Sequence, residues 1–392
     1  MSTRGLAFIT PKLVRWARER RGISHDQLAK QLRVTPNQVL DWERGESYPH
    51  FGKAIHLARV LHVPFGYLFL SDSPSEDVPL PDLRTVTGKP ASRPSADFLD
   101  LLNSVLIRQD WYREYLKKND ARPLSFVGRY QMTNDIEEVA EDLRDTLSIN
   151  EELRRQCSSW ADFLVQVVSR SENAGILVMR SGIVGANTRR KLSVKEFRGF
   201  VISDPIAPLV FINATDAKAA QTFTLVHELS HIWIGKSGIS NLEPTEILEQ
   251  GQHNNTELFC DRVTAEVLTP TSDFLNKWRS DLPRERAVQA LARYFRVSTL
   301  VILRRALELE TISRNEFFAL LQMEREQWRR KKTSEGGGGN FFNSLPARNS
   351  AKLTDTVLGA LQKRRLMYSD AAKLLGVKVR TLAKLIEARR TR

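Results

Sequence analysis

A mostly helical α+β fold is expected for this 392-residue chain. It should comprise an all-α N-terminal domain of five short helices, a central domain holding a small β-sheet, and a helical C-terminal region. Three observations lead there. Apolar residues recur at helical spacing over most of the length. Runs of β-branched residues bounded by turn formers are confined to 175–213, and the chain is broken by a Pro/Ser/acid-rich stretch at 71–97 and a Gly-rich one within 333–350. The length suffices for two or three domains, each with its own core.

The first element carries Leu13, Trp16 and Ala17 at helical spacing and ends at Gly22. Ser24 is an N-cap for a second helix through Leu28, Ala29 and Leu32. After a break at Arg33-Val34, Thr35 caps a third helix bearing Asn37, Gln38, Val39 and Trp42, closed by Gly45 and Pro49. Ala54-Leu57-Ala58-Leu61 and Phe65-Leu68-Phe69 suggest two more helices. The second helix, tight turn and third helix have helix-turn-helix spacing, and Gln27 to Gly45 resembles the Xre or lambda-repressor-like family. The resemblance covers residues 1–70, with His25 where the family usually has glutamine.

That resemblance implies binding to double-stranded DNA, the third helix entering the major groove by its N-terminal residues. Thr35, Asn37, Gln38 and Asp41 are then the candidates for base edges, and Arg33 and Arg44 for phosphates. Residues 1–70 hold eleven lysines and arginines against five acids, nearly half of the chain's surplus of +13. Such a surplus suits a polyanion. The competing use of the domain is protein docking, and a homodimer on DNA stays open.

Residues 71–97 read as an extended linker. Helical periodicity resumes at Phe98, Leu101, Leu102 and Val105, continues around 136–147, and restarts at Trp160. Short apolar runs at 175–179, 200–203 and 209–213 then read as strands, placing a small sheet immediately before the next feature. An edge strand there could hold an extended polypeptide by main-chain pairing.

That feature is His227-Glu228-Leu229-Ser230-His231 in the apolar segment 222–235. On a helix, residues four apart share a face, so both imidazoles can reach one metal ion with Glu228 beside it. Zinc hydrolysis needs two neutral nitrogens and a carboxylate as ligands, a water, and a free carboxylate to take its proton. Glu257, on an amphipathic helix through Val263, Val267 and Leu268, is the candidate third ligand; Asp261, one turn on, can accept the second ring N–H of a ligand histidine. The alternative is a buried helix whose histidines are satisfied core residues. The motif, with Glu257, Asp261 and Ala265-Glu266-x-Leu268-x-Pro270, resembles the ImmA/IrrE family of zinc metallopeptidases. The departures from the family pattern are Cys260, Asp261, Val263 and Thr264.

The domains expected are 1–70 helix-turn-helix, 71–97 linker, 98–275 zincin-like metallopeptidase, 276–332 helical extension, 333–350 Gly-rich joint and 351–392 basic helical segment. Within the extension, 290–305 has a helix-turn-helix cadence but reads rather as a packed helical pair. The segment 368–385 again shows a helix, a Gly-Val turn and a second amphipathic helix, serving nucleic acid or only a solvated face. Two distant cysteines, Cys157 and Cys260, indicate neither a disulfide framework nor a thiolate metal site. With no apolar run near ~18 residues and no leader-like N-terminus, the expectation is a cytoplasmic protein without a membrane partner.

Together these features lead to a DNA-binding regulator fused to a zinc-dependent endopeptidase, with Zn2+ as cofactor. The resemblance implies a repressor-type protein as substrate, or the chain itself, cut in response to stress or mobile-element signals. The other reading is a non-proteolytic transcription factor whose peptidase-like domain senses a ligand or metal.

Overall fold

The structure is a computed structural model that describes residues 5–76, 78, 80–81, 94–240, 255–331 and 341–390, with backbone alone at 327–331, 341–344 and 388–390. Parts of the linker and the Gly-rich joint lie outside the described residues. The described chain forms two compact units. Residues 1–79 and 92–103 make the first, and residues 80–91 and 104–392 the second. No described helix is long and apolar enough to cross a membrane.

The first unit holds α1 (Pro11–Arg20), α2 (His25–Leu32), α3 (Pro36–Arg44), α4 (Phe51–Leu61) and, as the fifth helix, a 3₁₀ turn at Phe65–Phe69. Capping residues set the boundaries. Ser24 and Thr35 each form a reciprocal capping box, with Gln27 and Gln38 respectively. Arg33 and Gly45 end α2 and α3 in the left-handed conformation. The apolar stripes, including Leu28, Leu32, Val39, Trp42 and Leu57, close one core. Past the last helix, Lys12 pairs with Asp72 and Arg20 bonds Glu76 and Asp100, so the start of the linker is tied to this unit.

A long helix, α5 (Ala96–Lys117), contains the division between units. Then follow α6 (Ile136–Leu147), α7 (Glu151–Gln156) and α8 (Trp160–Asn173). The sheet comes next: β1 (Leu177–Ser181), β2 (Gly199–Ile202) and β3 (Leu209–Asn213). The chain then enters α9 (Lys218–Trp233) and returns as β4 (Gly238–Ser240). Strand order is β1-β3-β2-β4, with β1 parallel to β3 and the other pairs antiparallel. The strand β4, three residues long, is absent from the sequence expectation.

After β4 come α10 (Asn255–Leu268), α11 (Thr271–Lys277), α12 (Arg284–Phe295), α13 (Thr299–Glu308) and α14 (Arg314–Lys331). Beyond the glycine run lie α15 (Phe341–Asn349), α16 (Ala351–Gln362), α17 (Tyr368–Leu375) and α18 (Val379–Arg390). The middle of the second unit is α9, buried on every side from Gln221 to Trp233. Its apolar residues, among them Leu225, Val226, Leu229 and Ile232, join the core, and α8, α10 and the sheet pack around it. Its C-terminal end is fixed by Trp233, which stacks on Phe126 and donates its indole N–H to Asp142 at 2.7 Å.

Candidate functional site

The turn into α9 is built by Asn213. Its side-chain amide donates to Phe197 O, and its Oδ1 accepts from the backbone and hydroxyl of Thr215. Gln221 then donates to Asp216 O at 2.7 Å, closing the first turn. These bonds set the helical phase that turns His227, Glu228 and His231 toward α10 and β2.

On α10, three arginines satisfy the carbonyls and acid at the far end of the helix. Arg144 donates to Glu266 O and Arg154 to Val267 O and Leu268 O, while Arg305 bonds Thr269 O and the Glu266 carboxylate. A helix end leaves its last carbonyls without partners, so these contacts anchor α10. The departures from the family pattern lie where α10 faces α9: Cys260 is buried, and Thr264, 3.5 Å from Ser230, keeps its hydroxyl bonded to Cys260 O.

The structure brings the predicted residues together. His227 Nε2 lies 3.2 Å from His231 Nε2 and 3.2 Å from Glu257 Oε2, and His231 Nε2 lies 3.1 Å from Glu257 Oε1. All three are buried, and no other described His/Cys/Asp/Glu group has this convergence. Two bonds of about 2.05 Å at a tetrahedral angle separate their donors by about 3.3 Å. The donor set therefore fits a zinc-sized cation. His227 Nδ1 is 2.9 Å from Asp261 Oδ1, which frees Nε2 to act as a donor toward a metal.

Two participants escaped the sequence reading. Arg304, from α13, reaches Asp261 Oδ2 at 3.3 Å, so each oxygen of that carboxylate has its own partner. An asparagine here would turn an amide N–H toward this guanidinium, so aspartate and Arg304 suit one another. Gly199 of β2 is the second. A Cβ there would sit 2.7 Å from Glu228 Oε1 and 2.8 Å from Thr224 Cγ2. Glycine lets the strand approach the carboxylate, a requirement invisible until β2 is laid on α9.

Charge in the site is unevenly balanced. Burial pushes the Glu257 carboxyl up, but hydrogen bonds and attraction from His227 and His231 prevail and hold it at about 2. Burial works against a charged His227, yet Asp261 and Glu257 raise it well above its ordinary value; His231 is lowered, chiefly by burial. Glu228 is pushed up to about 8 by burial and, less, by Glu257, with His227 opposing. Neither oxygen of Glu228 makes a hydrogen bond of good geometry among the described residues, although the Ser240 hydroxyl lies near enough to oppose the shift.

The edge expected to hold an extended polypeptide has a companion already. Ile239 of β4 donates its N–H to Pro81 O at 3.1 Å.

In the first unit, Asn37 and Gln38 are exposed, as are Arg33, Thr35 and Arg44, and Asp41 is partly exposed. Two of these residues also have a structural duty. Thr35 Oγ1 accepts from Gln38 N and Gln38 Oε1 from Thr35 N, leaving the Gln38 amide hydrogens to face outward. His25, at the family's glutamine position, faces inward, 3.1 Å from buried Glu43. Glu43 also takes both Arg18 Nε and Nη2, at 2.7 and 3.1 Å, tying α3 to α1 and α2.

Comparison with known proteins agrees with this geometry. Residues 14–68 match the family model described as helix-turn-helix, and residues 171–307 match that of the IrrE N-terminal-like domain, from the end of α8 to α13. The curated proteins and the solved structures yield no match. The chain is therefore a fusion of an Xre-like helix-turn-helix domain with a peptidase domain of the ImmA/IrrE type.

Proposed function

We propose that the chain is a DNA-binding transcriptional regulator whose second unit is a zinc-dependent endopeptidase. The observation that carries this reading is the convergence of His227, His231 and Glu257 beside a fully buried carboxylate, Glu228, that is paired with no lysine or arginine among the described residues. A buried ionisable group normally finds a partner, and orphaned ones mark functional sites. Bound at those three donors, zinc would supply a Lewis acid and a water of lowered pKa.

The chain's own groups do the rest. Asp261 holds His227 in one tautomer, and Arg304 holds Asp261. Glu228 takes a proton from the attacking water and returns it to the departing amide nitrogen, the role of a general base that becomes a general acid. A carboxyl pushed up by burial is suited to receive that proton, and a cation nearby would draw it back toward ionisation. An extended substrate pairing with β4 must displace Pro81 from Ile239. In the first unit, Thr35, Asn37, Gln38 and Asp41 are our candidates for base edges and Arg33 and Arg44 for phosphates of double-stranded DNA. The substrate that suits such a fusion is a repressor-type protein located at the same DNA, or the chain's own linker.

The test compares the wild type with Glu228→Gln for zinc content and for cleavage of repressors encoded beside it. Zinc should be retained and cleavage fall by at least about 10²-fold, the scale of general-base catalysis. Equal cleavage by both proteins would remove the peptidase reading. Zinc retained with no cleavage by either would favour the sensor.

A further inference from the structure

One turn recurs in the chain: it joins α4 to the 3₁₀ turn at Phe65–Phe69 through His62 and Val63, and it also joins three pairs of longer helices. In α2–α3, α12–α13 and α17–α18 the first helix gives way to a left-handed residue, Arg33, Arg296 and Gly376, with φ of 55, 58 and 61°. A valine follows, and its N–H returns to an alanine carbonyl five residues back: Val34 to Ala29 at 3.1 Å, Val297 to Ala292 at 3.1 Å, Val377 to Ala372 at 2.9 Å. The second helix begins two residues after that valine, at Pro36, Thr299 and Val379. The buried positions coincide as well. Ala29, Leu32, Val39 and Trp42 of the first pair correspond to Ala372, Leu375, Leu382 and Leu385 of the last, all buried.

The pairs differ in what the second helix offers outward. The positions of Thr35, Asn37, Gln38 and Asp41 are taken in the middle pair by Ser298, Leu300, Val301 and Arg304. Val301 is buried and Arg304 engages Asp261, so this pair packs inward, as its sequence suggested. In the last pair the same positions hold Lys378, Arg380, Thr381 and Lys384, and the three cations are exposed.

Charge is concentrated in the same place. Residues 351–392 contain eleven lysines and arginines and three acids, a surplus of eight. Residues 1–70 have a surplus of six, so the 280 residues between them sum to −1. The net positive charge of the chain lies at its two ends, each with a helix pair joined by the same turn. The last pair is held to the second unit by its opposite side. Buried Arg108 donates to Leu374 O at 2.7 Å and Asn349 to Leu375 O at 2.8 Å, which satisfies the end of α17 from within.

We propose that α17–α18 is a second site for double-stranded DNA, with Lys378, Arg380 and Lys384 set against the phosphate backbone and the major-groove edge. The family matches end at residue 307 and leave this segment unassigned. Lysine and arginine at the positions where α3 carries amides and a hydroxyl favour phosphate contacts, with Arg380 also suited to guanine. The site therefore adds affinity and salt sensitivity more than sequence preference.

The experiment uses the full chain with α3 disabled by Asn37→Glu and Arg44→Ala, and follows the fluorescence anisotropy of a labelled random-sequence duplex. Residual binding is expected. Adding Arg380→Ala and Lys384→Ala should weaken it by about tenfold or more and lower the slope of log affinity against log salt by about two, near 0.9 per phosphate contact. Arg380→Lys with Lys384→Arg should restore the slope, and the single change Lys378→Ala, outside the core, should lower it by about one. The proposal is overturned by any of three results: no residual binding; a slope unmoved by the neutral pair; or the same loss when exposed Lys117 and Arg155 are neutralised instead. Tighter binding to an RNA duplex than to DNA would also overturn it.

Discussion

Glu43 in the first unit and Glu257 in the second are both buried carboxylates among basic side chains, and the two clusters differ in what those side chains bring. In the first unit Glu43 is met by Arg18, with His25 3.1 Å and Arg15 3.7 Å away. A guanidinium cannot surrender its proton, so both oxygens are satisfied and the cluster is closed. In the second unit Glu257 is met by two histidines whose ring nitrogens face one another at 3.2 Å. Imidazole nitrogens can offer lone pairs, and two of them aimed at a carboxylate make a cluster completed by a cation. The difference between a structural ion pair and a metal centre thus lies in the partner's chemistry, since burial is the same.

The comparison predicts opposite responses to truncation. Glu257→Ala should reduce zinc affinity by more than about 10²-fold, because one of three protein ligands is lost. Metal content after dialysis reads this directly, and the second unit should no longer respond to a chelator. Glu43→Ala leaves partly buried Arg18 without its partner and should cost the first unit about 1–2 kcal/mol after solvent screening, measured by urea denaturation, with zinc content unchanged.

Acid should separate the clusters too. Burial alone would push Glu43 up, but the bonds from Arg18 and His25 prevail and lower it. Its folded pKa lies below its unfolded one, so its contribution is present above about pH 4.3 and is lost as pH falls through the folded value. Zinc retention requires neutral imidazoles, so protons compete with the metal and retention should fail earlier on acidification. A pH series of metal content and circular dichroism should therefore show metal loss before the first unit melts.

Smaller effects come from groups that position the site. Asp261→Ala should weaken zinc binding by about 10- to 100-fold, and Arg304→Gln by less, since Asp261 keeps His227. Gly199→Ala places a methyl against the Glu228 carboxylate. It should spare zinc content and lower cleavage, which would separate the base from the ligands.

The ligand helix was legible because its spacing is a local property. A spacing of four from His227 to His231 dictates a shared face whatever the fold, and Glu257 stood out on an amphipathic helix. The helix-turn-helix was legible for the same reason, its caps and turn residues being contiguous. Contacts formed only on folding were not. Gly199 looks like any turn glycine until β2 crosses α9, and Arg304 belongs to a helix 43 residues from Asp261. Glu43 sits in an acid-and-arginine run that reads as surface, although it is buried. The strand β4, at three residues, is too short for an alternation signal.

The chemistry proposed for the second unit needs its three donors to form a metal centre. Titration of the metal-stripped full chain with zinc, followed by binding and proton release together, tests this most directly. The prediction is one zinc per chain, protons released on binding, and affinity that falls with pH and is lost in Glu257→Ala. Absence of saturable binding, or binding unaffected by Glu257→Ala, would contradict it.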